Sequence, residues 1–140
     1  FRELPWNRCL QSVREGTSDA VVDAADRSEF LQGPTSYSLY SNTIWVRDDS
    51  EYRKLDFAAL RGRLIGLISG YNYPSALEKE IATAGIRVED AVDDATNLRK
   101  LAFNRIDAII ADFVGTYHIA QSRKLALAGH IEHRTTSNEQ

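Results

Sequence analysis

The segment from Arg63 to Pro74, RLIGLISGYNYP, has the residue types of an anion site. A short apolar run, Leu64 to Ile68, stops at Ser69-Gly70. Pro74 then opens a second run with Ala76, Leu77, Ile81 and Ala82 at helical spacing. The pattern predicts a buried strand, a small-residue turn and a helix capped by Asn72, with Pro74 at its first position. Free N–H groups at such a turn, with the helix dipole behind them, favour negative charge. The pattern is common in α/β proteins and alone names no ligand.

Other reactive groupings carry less. His130-Ile131-Glu132-His133 has metal-binding residue types, but residues three apart on an extended segment face opposite sides, so the two imidazoles would not share an ion. Asp48-Asp49 and Asp93-Asp94 are paired carboxylates in what read as solvated loops, with no need of an acid–base role. Gly62, Gly66 and Gly70 form neither a Walker nor a dinucleotide fingerprint, and no nucleophile elbow or ordered Ser-His-Asp pattern occurs. Neither a metal nor a cofactor is expected.

The elements that must position the Arg63–Pro74 stretch follow from periodicity. Trp6, Cys9, Leu10 and Val13 form a stripe on a helix from Pro5 to Glu15, stopped by Gly16, and this stripe makes Trp6 a core residue. Asp19 to Asp23 reads as a strand buried on both faces, and Asp26 to Phe30 as one helical turn. Gly33-Pro34 breaks the chain before a long extended run, Ser36 to Val46. Asp48 to Glu51 is a solvated loop, and Leu55 to Leu60 a short helix. After the helix ending at Gly85 come a strand at Ile86–Glu89, with Ile86 and Val88 inward, and a helix from Asp94 through Ala95, Leu98, Leu101, Ala102 and Phe103. A doubly buried strand at Asp107–Asp112 and a helix at Val114–Leu127 follow, the latter with Val114, Tyr117, Ile119, Leu125 and Leu127 partly in phase. His130–Arg134 is extended and Thr135–Gln140 frayed. Strand and helix alternate from Arg63 onward, so parallel strands covered on both faces are expected. The long strand before them suits a crossing between two sheets, with a boundary near Ile44.

Composition bounds the reading. The 140 residues, 43% of them hydrophobic, suffice for one core or two small lobes, and a net charge of −3 with both signs interspersed excludes a surface built on phosphate contacts with nucleic acid. No apolar run approaches the roughly 20 residues that span a bilayer, and no signal peptide is visible. Cys9, the single cysteine, makes no internal disulfide and leaves the redox compartment open. The absence of methionine and the opening on Phe1 directly before a helix are read as marks of an excerpt or a processed piece.

The order of these pieces resembles the extracellular solute-binding proteins of family 3, the type II periplasmic binding proteins that serve ABC importers of amino acids. Pro5-Trp6, Arg8-Cys9-Leu10, Gly16 and Asp19-Ala20 are similar to that family's PWxRCL…G…DA helix. Tyr40 to Val46 is similar to its crossing strand, and Leu60, Gly62, Ile65-Gly66 and Gly70 to its L-G-x-x-IG-x-x-x-G segment. Leu101, Arg105-Ile106-Asp107-Ala108 and Asp112 resemble L-x-x-GRIDA-x-x-x-D. The resemblance covers most of the chain. It implies two α/β lobes joined by crossing strands. Residues 1–43 would be a partial first lobe, 44–132 a complete second lobe with its hinge strands, and 133–140 a polar tail or the start of the return to lobe one.

A free amino acid needs donors for its carboxylate, an acceptor for its ammonium and a selective pocket. The resemblance implies Arg27 for the carboxylate, the alternative being an exposed helix-end arginine. The loop from Asp23 to Arg27 is shorter than the family's, which leaves the register of Arg27 open. It implies Ser69 and Gly70, with Tyr71 and Tyr73 beside them, as second-lobe contacts to the same carboxylate, against a plain turn with surface tyrosines. It implies Asp112 for the ammonium, and the same residue could instead, or also, cap the helix that follows. The implied function is capture of a small polar solute, an amino acid first, as the substrate-binding component of an ABC importer, without catalysis. A membrane permease is the implied partner, and the implied place is the periplasm or cell exterior. The alternatives are the sensor input of a membrane receptor, distinguished by a transmembrane helix beyond Gln140, and a cyclohexadienyl-dehydratase-like enzyme on the same scaffold. An incomplete first lobe exposes sheet edges and apolar surface, which a dimer with swapped elements would cover.

Overall fold

The computed structural model describes residues 1–22, 24, 27–34, 42–52, 57–125 and 130–135, the last of these through the backbone. Its elements are α1 (Trp6–Arg14), β1 (Asn42–Trp45), a 3-10 turn (Phe57–Leu60), β2 (Leu64–Ile68), α2 (Ser75–Ala84), β3 (Arg87–Ala91), α3 (Asp94–Ala102), β4 (Ala108–Asp112), α4 (Phe113–Ser122) and β5 (His130–Thr135). Among the described residues the strands form one sheet in the order β3-β2-β4-β1-β5. Strand β2 pairs in parallel with β3 and β4, whereas β1 runs antiparallel to both β4 and β5. The expected parallel sheet is thus real for three strands, and the extended run before them enters against their direction.

Alternation along the strands builds two cores. Ile44, Val46, Ile65, Ala108 and Ile110 pack against Leu77, Ile81 and Ala84 of α2 and against Leu60. Trp45, Ile109 and Ala111 pack on the other face with Leu98 and Leu101 of α3, Ile106, Phe113 and Ile119. Neighbouring residues of one strand therefore serve opposite layers, as the pleat requires. Trp45 stacks on Phe113 with ring centroids 5.5 Å apart, and Phe113 stacks in turn on Tyr117 at 6.0 Å, so an aromatic row leads from the core along α4 to the surface.

Two polar devices set the strands. The Asp107 carboxylate accepts from Leu64 N at 2.8 Å while Asp107 N donates to Leu64 O at 2.8 Å, a reciprocal pair that aligns the starts of β2 and β4. Buried Asn97 donates through Nδ2 to Leu67 O at 2.9 Å. Its side chain lies where a Cβ at Gly66 would stand, 2.6 Å from Oδ1, which is why position 66 carries no side chain.

Several expectations need correction. Residues 19–22 are irregular rather than a strand, with Ala20 and Val22 exposed. No described strand lies beside them, and without a ladder partner extended backbone has only water to satisfy it. Asp23, most of the run from Ser36 and the tail from Thr136 lie outside the described residues. Pro74 precedes α2 rather than opening it, at φ −55° and ψ 135°, and no side chain caps the helix. Val88 is 45% exposed, because β3 is an edge strand. Helix α4 ends at Ser122, with Lys124 in the left-handed region, and its buried residues are Thr116 and Ala120. Val114 and Tyr117 are exposed, whereas Ile119 and Leu125 pack against the core, so the expected stripe holds only in part. Gly85 ends α2 in the left-handed conformation as expected.

Gly66→Ala should lower the unfolding free energy by about 1–3 kcal/mol, because Asn97 and Ile106 must move to admit a methyl group. Urea denaturation measures this, and an unchanged midpoint would show that the Asn97 contact is slack.

Candidate solute site at the sheet edge

The three parallel strands end together at Ile68, Ala91 and Asp112, and the turn after β2 lies at that edge. Crevices outside the carboxyl ends of parallel strands are where open α/β sheets bind ligands. Here the turn is Ser69-Gly70-Tyr71. Ser69 N donates to Ala91 O at 2.9 Å and Tyr71 N to Ile68 O at 3.2 Å, so two of the donors expected to point at an anion are spent inside the fold. Gly70 has φ +81°, a conformation that L side chains rarely adopt.

The N-terminal segment closes on this turn. The Gly70 carbonyl accepts from Trp6 Nε1 at 2.9 Å and from an Arg27 guanidinium nitrogen at 2.6 Å. Asn7 Nδ2 donates to Ser69 Oγ at 3.2 Å. The Arg27 guanidinium carbon lies 5.6 Å from the Trp6 ring centroid, and Tyr71 meets the same ring edge-on at 5.3 Å. Arg27 is carried on a turn closed by Phe30 N donating to Arg27 O at 2.9 Å. That turn is tied to α1 by a forked pair, Arg14 Nε and Nη2 donating to the two Glu29 oxygens at 2.8 and 2.7 Å. The hydrogen bond from Arg14 holds the Glu29 carboxyl below its ordinary pKa.

Arg27, Ser69, Gly70 and Tyr71 therefore come together. Tyr73 is committed elsewhere: its hydroxyl accepts from Ile68 N at 2.9 Å, it packs against the α2-side core, and burial pushes its pKa up. Its ring reaches Tyr71 at a centroid distance of 6.1 Å. Asp112 caps α4, accepting from Gly115 N at 2.8 Å. The capping role is thus present, and it leaves the carboxylate's other oxygen for a further donor. On the next loop Asp93 caps α3 by accepting from Thr96 N at 2.7 Å.

Two residues at this edge, Asn7 and Asp94, carry no site signal in the sequence, and a third, Trp6, ranks there as a poorer ligand candidate better suited to the core. Trp6 is half-buried and faces the turn. Asp94 belongs to a pair that read as solvated loop, yet it is half-buried in the first turn of α3. Burial first, then the nearby charges of Asp93 and Asp112, raise its pKa from 3.8 to about 6. The edge thus has a cationic side at Arg27 and an acidic side at Asp94 and Asp112.

The pH dependence has a definite sign. Asp94 binds its proton more tightly in the folded chain, so above about pH 6 its enforced ionisation opposes folding, and below about pH 4 it does not. The stability contribution of Asp94 therefore falls as pH rises through this window. Asp94→Asn should raise stability at neutral pH by about 1–3 kcal/mol and leave it unchanged near pH 4. Denaturant titrations at the two pH values measure this; an equal effect at both would remove Asp94 as the cause.

No protein-family model matches the sequence. The L-cystine-binding protein TcyJ of Escherichia coli K12 is 24% identical over 132 residues, covering 91% of this chain and 49% of that protein. Among solved structures, an ancestral arginine-binding protein bound to glutamine superposes with a TM-score of 0.77 at 18% identity, covering 99% of this chain and 62% of that one. The arginine-bound form of an ancestral arginine-binding protein gives 0.73 at 18%, over 93% and 60%. An ancestral amino-acid-binding protein described as a precursor of cyclohexadienyl dehydratase gives 0.71 at 15% identity, over 93% and 59%. A histidine kinase sensor domain similar to periplasmic binding proteins gives 0.71 at 19%, over 94% and 59%. The fold is therefore the α/β fold of periplasmic binding proteins. In sequence the chain is similar to an L-cystine-binding protein, and it spans about half the length of the curated relatives it matches.

Proposed function

We propose that the chain takes part in capturing a small zwitterionic solute, an amino acid first, in a cleft between residues 1–43 and 44–132, as the substrate-binding component of an ABC importer. The observation that carries this reading is the polarity of the sheet edge. Arg27 stands over the Ser69–Gly70 turn, and Asp112 and Asp94 lie at the ends of the adjoining elements. A carboxylate on the arginine and an ammonium on the aspartate would each gain a charge-assisted hydrogen bond. Similarity to proteins named for binding cystine and arginine, one of them bound to glutamine, supports the same solute class. Ser69 offers a hydroxyl and Tyr71 a ring wall to the solute; Tyr73 contributes by holding the turn. A permease partner and a periplasmic or extracellular location accompany this function.

Two further readings have support of their own. Likeness to a sensor domain supports ligand sensing without transport. Likeness to a dehydratase precursor, with an acid of pKa about 6 at the edge, supports an enzyme in which Asp94 acts as general acid. Binding without turnover is the favoured reading, because the curated relative and the arginine-binding structures are named for binding. Exposed Val22 and Leu31 support pairing with a second copy when this length of chain stands alone.

A thermal-shift screen of the full-length protein against the common amino acids and cystine should find a stabilising ligand, with about 2.7 kcal/mol gained at one hundred times its Kd. Asp112→Asn keeps an acceptor for Gly115 N but loses the anion, and should weaken that ligand by about 10- to 100-fold. No shift from any amino acid at millimolar concentration would remove the amino-acid reading, and product formation from a bound solute would replace it with the enzyme.

A further inference from the structure

We infer that Trp6 and Asn7 are positioning residues of this site: they clamp the turn after β2 and hold Arg27 in one orientation. The Gly70 carbonyl has two lone pairs, and the Trp6 indole N–H and the Arg27 guanidinium both donate to it. The face of the same indole lies under the guanidinium, so Trp6 fixes Arg27 twice, through a shared acceptor and through its ring. Asn7, one residue along α1, fixes the Ser69 hydroxyl, and a Cβ at Gly70 would run into the Asn7 side chain. The two contacts reach consecutive residues of the turn from consecutive residues of the helix. Without them the carbonyl of a residue at φ +81° and a freely rotating hydroxyl would sample other orientations.

The guanidinium is held but not saturated. Arg27 Nε is buried and has no hydrogen-bond partner among the described residues. A buried donor left unmade is costly, and an acceptor oxygen arriving at the edge relieves it. The clamp therefore presents a preorganised arginine with a donor in reserve, a geometry suited to a ligand carboxylate. This last step rests on the binding function proposed above; the clamp itself rests on the contacts of Trp6 and Asn7.

Hydrogen exchange on the ligand-free chain tests the clamp apart from any ligand. Trp6→Phe keeps the ring and removes the N–H, and Asn7→Ala removes an exposed amide with little risk to folding. In each variant the Ser69 and Tyr71 amides should exchange about fivefold faster or more, with those of Ile109 to Ala111 unchanged. Unchanged exchange at Ser69 and Tyr71 in Asn7→Ala, or an equal rise throughout β4, would overturn the clamp. With L-arginine, L-glutamine and L-cystine as probes, Trp6→Phe should raise the dissociation rate about three- to tenfold and leave association within twofold. An unchanged dissociation rate would overturn the positioning role. Failure of all three probes to bind the parent protein would count against the binding function alone, and exchange would still decide the clamp.

Discussion

Pairing of β2 on both sides governs the arrangement of everything else. Its five residues pair in parallel with β3, and Ile65 and Gly66 pair in parallel with β4, so the three strands end at the same edge. That places Ile68, Ala91 and Asp112 together, although they are far apart in the chain. The close approach of Asn97 to Gly66 and the reciprocal bonds of Asp107 and Leu64 keep the three strands in register. A slip of one residue would turn Ile65 and Ile110 out of one core and Ile109 out of the other.

Charge is distributed over that edge by different means on its two sides. The acidic side is built from helix starts: Asp93 and Asp112 cap α3 and α4, and the turn of α3 carries Asp94 into their field. The cationic side comes from outside the sheet, on a turn tied to α1 by the Arg14–Glu29 fork. The acids are therefore fixed by the core, whereas Arg27 is fixed by surface contacts and by the Gly70 carbonyl it shares with Trp6.

Legibility in the sequence followed the range of the physics. Strand β4 showed in its unbroken apolar run, α3 in the spacing of Leu98 and Leu101, and the end of α2 in Gly85, because each obeys a local rule. The order of these pieces sufficed to anticipate the fold. The turn at Ser69–Gly70 was visible as a turn, but its neighbours were not, since Trp6 and Asn7 arrive from more than sixty residues away. Asp94 looked solvated because a run of acidic residues does not reveal the burial that folding imposes on one of them. The stripe on α4 was legible only in part, because beside Ile119 the helix buries Thr116 and Ala120, both unremarkable in hydropathy. Residues 19–22 read as a strand from composition alone, and composition does not supply a ladder partner.

The aromatic row on α4 gives the acid side a mechanical connection. Trp45 belongs to β1, Phe113 directly follows Asp112, and their rings are nearly parallel at 20°. Asn42 of the same strand lies opposite Asp112 in the antiparallel ladder. Strand, ring pair and carboxylate are thus packed as one unit, since close-packed interiors transmit strain rather than absorb it. Strain entering the sheet at β1 therefore reaches the Asp112 position directly, whereas it reaches the turn after β2 only through β4.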